Sequence, residues 1–224
     1  MNVPRPPHAW SVSPARAVQI QRRLAHIVIA TGRIPELRLA AGADLAFLPG
    51  KERCIAGVVV WDVRLQAIVE QRVVVRQVAF PYVPGLLSFR EAPALIAAIR
   101  MLRTVPDVFL FDGQGLAHPR RFGLACHMGV LLNRPTVGCA KSVLVGDYDE
   151  PAVLRGSSAP LVYEGQDVGR AVRTRDGIKP VYVSVGHRLS LDAAVAITLA
   201  CVTRYRLPEP TRLADQLVSR ARSA

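Results

Sequence analysis

Asp112 closes an apolar run, residues 108–112, and Gly113, Gly115, His118, Arg120 and Arg121 follow it within a few positions. A run bounded by Pro106 and by glycines reads as a buried central strand. It delivers its last carboxylate to the carboxyl edge of a sheet, where open α/β sheets keep their chemistry. The glycines allow close approach of a backbone or a base, the histidine is a candidate proton carrier, and the arginines fit phosphate. The bland alternative is a turn Asp and an Arg pair on a solvated helix start. A second acid, Asp44, lies inside the apolar segment 37–47 beside Gly42, where the backbone is closely approached or bulged. Burying an unpaired carboxylate is costly, so Asp44 needs either a metal ion or a hydrogen-bonded turn. Glu91 ends Ser88-Phe89-Arg90-Glu91, a capping-box pattern that already explains it, so a functional role must come from its neighbours. Lys141 ends a second apolar run, residues 135–141. Brought together, the carboxylates are hard oxygen ligands suited to Mg2+ or Mn2+, and such an ion polarises a phosphodiester.

The elements that position these residues follow in chain order. Residues 14–31 place Ala17, Ile20, Leu24, Ile27 and Val28 on one helical face, an amphipathic helix packed on the outside of the domain. The β-rich runs 37–47, 54–62 and 67–78 predict an antiparallel three-strand meander. Phe80-Pro81-Tyr82-Val83-Pro84-Gly85-Leu86-Leu87 then breaks the sheet, and its prolines pin Tyr82 and Val83 in a stiff projection. A helix over 91–102 follows. Residues 121–132 predict a helix between the strands 108–112 and 135–141, a βαβ crossover that sets Asp112 and Lys141 on one edge. Residues 142–160 read as irregular, 169–174 and 180–185 as short strands, and 193–205 as a helix with Ser190 as N-cap and Asp192 in its first turn. The segment 206–212 reads as a rigid connector into a short amphipathic helix. This pattern predicts an α/β fold in one domain, residues 13–224, after a flexible tail, residues 1–12, with little to bury.

At 224 residues, 50% hydrophobic and 6% aromatic, the chain can bury one sizeable core. Its net charge of +12, carried almost wholly by arginine, predicts an anionic partner, nucleic acid first, against the alternative of compositional drift. Cys54, Cys126, Cys139 and Cys201 are far apart and form no C-x-x-C pair, as expected of reduced core residues in a cytoplasmic protein. The longest largely apolar run, residues 193–202, is too short to span a bilayer, so no membrane partner is expected, and a monomer is.

Several stretches resemble the endonuclease V family of deoxyinosine-directed repair nucleases, over about residues 15–215. They are Ala-Gly-Ala-Asp44, Phe-Pro-Tyr82-Val-Pro-Gly-Leu-Leu-Ser-Phe-Arg-Glu91, Phe-Asp112-Gly-Gln-Gly-Leu-Ala-His118-Pro-Arg-Arg, Gly-Cys-Ala-Lys141, Val-Ser-Val-Gly-His187-Arg and Tyr-Arg-Leu-Pro-Glu-Pro-Thr-Arg212. The resemblance implies a ribonuclease H-like mixed sheet, the meander plus parallel strands flanked by helices, with the strands of Asp44 and Asp112 as neighbours. It implies a divalent metal, Mg2+ with Mn2+ able to substitute, and hydrolysis of the second phosphodiester 3′ to deoxyinosine in DNA. Inosine-containing RNA is a further candidate partner.

On this resemblance Asp44, Glu91 and Asp112 bind the metal, His118 and Lys141 are further catalytic residues, and Asp192 is a candidate fourth acid. Pro81, Tyr82, Val83 and Pro84 form a wedge that fills the gap left by an extruded base. Gly85, Leu87, Gly113 and Gly123 line the pocket that receives it, an expectation drawn partly from glycine placement. Arg120, Arg121 and His187 complete the substrate-binding set. Gln114, Ser142 and Asp215 depart from the family pattern, Asp215 lying where some members carry a His. Two other readings stay open: a non-catalytic inosine-binding module, against which the converging acids argue, and a general structure-directed nuclease, against which the Tyr82 wedge argues.

Overall fold

The computed structural model describes residues 1–50 and 52–223. Its elements are α1 (Pro14–Ala25), β1 (Leu39–Phe47), β2 (Arg53–Asp62), β3 (Ala67–Gln77), α2 (Leu87–Arg100), β4 (Val108–Phe111), α3 (Leu124–Leu132), β5 (Thr136–Ala140), β6 (Ser158–Tyr163), β7 (Gln166–Val172), β8 (Val181–His187), α4 (Leu191–Ala200) and α5 (Glu209–Ser223). The strands form one mixed sheet in the order β3-β2-β1-β4-β5-β8-β7-β6. The expected meander is β1, β2 and β3; β1 pairs with β4 and β4 with β5 in parallel, and β8 returns antiparallel to β5. This is the ribonuclease H-like arrangement that the sequence predicts.

The central strand β4 is apolar at every position because both of its faces are covered. Phe109 and Phe111 pack with Leu95, Ile99 and Met128 of α2 and α3, whereas Val108 and Leu110 pack with Ala194 and Ile197 of α4. Ser190 caps α4 as expected, its hydroxyl accepting from the Ala193 N–H at 3.2 Å. That helix stops at Ala200, and α3 starts at Leu124, so both are shorter than their apolar patterns.

Four expectations are corrected. No capping box forms at Ser88: α2 begins at Leu87 after Leu86, with no side-chain cap, and the Ser88 hydroxyl instead meets His127 Nδ1 at 2.9 Å. Residues 158–160, the end of the stretch expected to be irregular, belong to β6 (Ser158–Tyr163) at the sheet edge, where Pro160 costs no central ladder bond. The last helix is not short: α5 has 15 residues and begins inside the expected connector. The N-terminal segment also finds something to bury. Val3 joins the core beside α2, Trp10 packs 5.9 Å from Phe89, and His8 Nε2 lies 2.8 Å from His127 Nε2.

Helix α5 lies directly on β1, and the close approach falls at Gly42, where a Cβ would overlap the Pro210 carbonyl. Backbone cannot swing aside as a side chain can. Gly42→Ala should therefore cost about 1–3 kcal/mol or more of stability in urea denaturation. Wild-type stability in that variant would show that α5 is not seated on β1 in this way.

Candidate active site

Parallel pairing carries the first two acids to one edge. Ala43 of β1 is registered with Phe111 of β4, so Asp44 and Asp112 follow at the same level on adjacent strands. Phe111 is registered in turn with Gly138 of β5, and that strand ends just before Lys141. The Lys141 ammonium sits 2.5 Å from Asp112 Oδ2. Glu91 enters from α2, which packs on the same face of the sheet.

The electrostatics show that these groups face one another. Burial is the main cause that pushes Asp44 up to about 7; Asp112 and Asp215 push further, against the Leu45 backbone N–H and Lys141. Glu91 is pushed up to about 8, again by burial first and then by Asp44 and Asp112, with Arg90 opposing. Asp215, on the exposed side of α5, thus belongs to this field. The sequence reading noted it only as a departure from a family pattern. Asp192, the expected fourth acid, is exposed in the first turn of α4, which follows the end of β8 opposite the start of β5. That is the far edge of the sheet from Lys141.

A hard divalent cation fits this donor set, because it would bind three oxygen donors and offset the repulsion and burial that push Asp44 and Glu91 up. The fit rests on charge and donor type. Among the described residues, no group of three or more His, Cys, Asp and Glu side chains is gathered tightly enough to enclose an ion. Asp44, Glu91 and Asp112 are the residues that would hold such an ion, beside the Lys141 ammonium on Asp112.

Beside the acids opens a cavity of about 370 Å3, whose wall includes Asp112 and Lys141. Tyr82, Val83, Pro84, Gly85, Leu87, Gly113, Gly123 and His118 line it, so most of the expected pocket and wedge residues converge there. Pro81 lies outside the lining and leads into Tyr82, whose side chain is 70% exposed and so projects instead of packing on the protein. Sequence reasoning missed Gln21 of α1, which also lines the cavity. A signal existed: Gln21 falls on the same helical stripe as Ala17 and Leu24 and is buried with them.

Other expected site residues turn inward. His118 is buried, its Nε2 donating to the Gly85 carbonyl at 2.9 Å and its Nδ1 accepting the Arg120 N–H at 3.1 Å. Burial lowers it to about 4, which favours the neutral ring, and both of its nitrogens are engaged at the cavity wall. Arg120 bonds Gln21 Oε1 at 2.6 Å and the Gly85 carbonyl at 2.7 Å. Arg121 donates to the Tyr163 carbonyl at 2.8 Å, stacks over that ring and pairs with Glu164. Arg120 thus engages Nε and Nη2 within the protein, whereas Arg121 Nη1 is buried with no hydrogen-bond partner among the described residues. His187 is buried at the opposite edge, registered with Thr136 at the start of β5, and its Nδ1 accepts the Ile29 N–H.

The sequence model of the endonuclease V family matches residues 22–216. An endonuclease V of Roseiflexus castenholzii is 50% identical over 219 residues, which span 98% of each chain. The crystal structure of endonuclease V from Streptomyces avermitilis matches with a TM-score of 0.91 at 45% identity, covering 96% of this chain and 95% of that one. Ciona intestinalis endonuclease V, in complex with a 24mer DNA containing an inosine followed by a ribo-adenosine, matches with a TM-score of 0.82 at 25% identity over 92% of this chain and 96% of that one. A nearly full-length match at half identity, on a sheet whose edge gathers the acids, leads to one conclusion: the chain belongs to the endonuclease V family and is a nuclease, a hydrolase of phosphodiester bonds.

Proposed function

We propose that this chain cleaves nucleic acid at deoxyinosine, hydrolysing the second phosphodiester on the 3′ side of the lesion with Mg2+, or Mn2+ in its place. The observation that carries the reading is the cavity that shares Asp112 and Lys141 with the acidic edge. It has room for a base, and its lining is mostly apolar with a few polar groups, as a base pocket needs. Asp44 and Glu91 are not part of its lining, which supports a cut displaced from the captured nucleotide. The inosine-containing DNA held by the Ciona relative supports the choice of base, and the ribo-adenosine in that DNA keeps inosine-containing RNA among the substrates.

When bound, the divalent ion neutralises charge at the scissile phosphate and lowers the pKa of an attacking water. Asp44, Glu91 and Asp112 would hold it, all through oxygen. Lys141 keeps Asp112 in place and brings a cation to an edge that must receive phosphate. Tyr82, held between Pro81 and Pro84, fills the gap in the stack and offsets an unstacking cost of about a few kcal/mol. The net charge of +12 supplies general attraction to the nucleic acid backbone.

A nicking assay on a duplex with a single inosine and on its undamaged control, with and without Mg2+, tests the reading. Glu91→Gln should lose cleavage by a factor of about a hundred or more without losing thermal stability, because Glu91 caps nothing and repels its neighbours. Full activity in that variant would remove Glu91 from the site. Tyr82→Ala should impair duplex substrates far more than single-stranded ones, since only a duplex needs its gap filled; equal losses on both would refute the wedge.

A further inference from the structure

The segment 81–84 is an arch with two buried feet, Phe80 and Leu86, and an exposed crown that carries Tyr82. Leu86 N–H closes the arch on the Val83 carbonyl at 2.9 Å. Between crown and second foot sits Gly85, at φ +75°, a left-handed turn that aims its carbonyl inward. That one carbonyl accepts three side-chain donors: Gln21 Nε2 at 3.0 Å, His118 Nε2 at 2.9 Å and Arg120 Nη2 at 2.7 Å. A carbonyl has two lone pairs, so three donors exceed what satisfying it requires. The surplus fixes its position.

Gln21 is the member that comes from a different part of the chain. It is 1% exposed, and its amide also donates to the Phe122 carbonyl at 3.2 Å while its Oε1 accepts from Arg120 Nε. Around it, Ile20 and Leu24 of α1 pack with Phe80, Leu86, Phe89 and Phe122. We infer that Gln21 is a positioning residue for the reaction: from α1 it ties the Gly85 carbonyl, and with it the wedge, to the wall of the base pocket. The inference rests on the wedge reading of Tyr82. It also explains why an otherwise apolar helix face buries an amide: no other side chain of that length both donates to two carbonyls and accepts from an arginine. Glutamate at this position would keep Arg120 as an ion pair but would set a carboxylate against two carbonyl oxygens. The arch would lose its tie while His118 and Arg120 still satisfy Gly85.

The test is a double-mutant cycle of Gln21→Glu and Tyr82→Ala, read as single-turnover rates on one inosine-containing strand, alone and in duplex. Gln21→Glu should lower the duplex rate about tenfold more than the single-strand rate, and in the Tyr82→Ala background it should not change that ratio further. 2-Aminopurine beside the inosine should show less opening of the stack. A role limited to packing would depress both substrates alike and add to Tyr82→Ala, and either result overturns the inference. If Tyr82→Ala itself costs both substrates equally, the wedge reading falls and this inference falls with it. If Tyr82→Ala is duplex-selective and Gln21→Glu is not, the inference alone falls. Should Gln21→Glu fail to fold, Gln21→Met is read against the same criteria.

Discussion

Carboxylates that repel one another at the end of two parallel strands are the constraint on which the rest of this structure depends. Asp44 and Asp112 leave β1 and β4 at the same level, Glu91 faces them from α2, and Asp215 adds its field from α5. Lys141 meets them directly through Asp112, and Arg90 opposes the repulsion at Glu91. Such an arrangement costs stability, and the chain limits the cost by letting Asp44 and Glu91 hold protons near neutrality. A fold selected for stability alone would replace these acids. Their presence at the strand ends of a well-packed sheet is intelligible if the edge is completed by an external cation.

The second constraint is mechanical. The segment after Asp112 turns back over the sheet, with the Gly115 N–H bonded to Ser184 Oγ and the Leu116 N–H to the Val185 carbonyl. It then presents His118, Arg120 and Phe122 to α1 and to the arch at 81–84. One continuous loop therefore links the acidic edge to the cavity beside it and to the arch that carries Tyr82. His118, Arg120 and Arg121, all expected at the site, also hold this loop through hydrogen bonds to Gly85, Gln21 and Tyr163. Preorganisation of that kind would suit the proposed reaction, in which a base and a phosphodiester away from it are placed at once.

Much of this was legible in the sequence, and the failures have physical causes. Apolar runs ending in Asp112 and Lys141 announced parallel strands, because a strand buried on both faces has no polar alternation to hide it. Gly42 marked a close approach before the approaching group, the Pro210 carbonyl, was known. Residue type did not reveal partners. The sequence showed His118, Arg120 and Arg121 as candidates for chemistry but not the carbonyls of Gly85 and Tyr163 to which they donate. Ser88 and Glu91 have capping-box spacing, but His127 takes the serine hydroxyl and the helix starts at Leu87. In the sequence Asp192 was the candidate fourth acid and Asp215 only a departure from the family pattern. Only topology separates an acid at the far edge from one whose charge reaches Asp44.

The central claim is that this edge holds carboxylates awaiting a divalent cation, and proton-linked calorimetry tests it most directly. Asp44 and Glu91 titrate near 7 and 8, so below those values a cation must displace their protons, and above them it binds ready carboxylates. Titration of Mn2+ into the protein in buffers of differing ionisation enthalpy should show proton release near neutral pH. Affinity should tighten as pH rises from about 6 to about 9, and the Asp44→Asn variant should lose much of both effects. Mn2+ binding that is independent of pH and releases no protons, or that is unchanged in Asp44→Asn, would contradict the account.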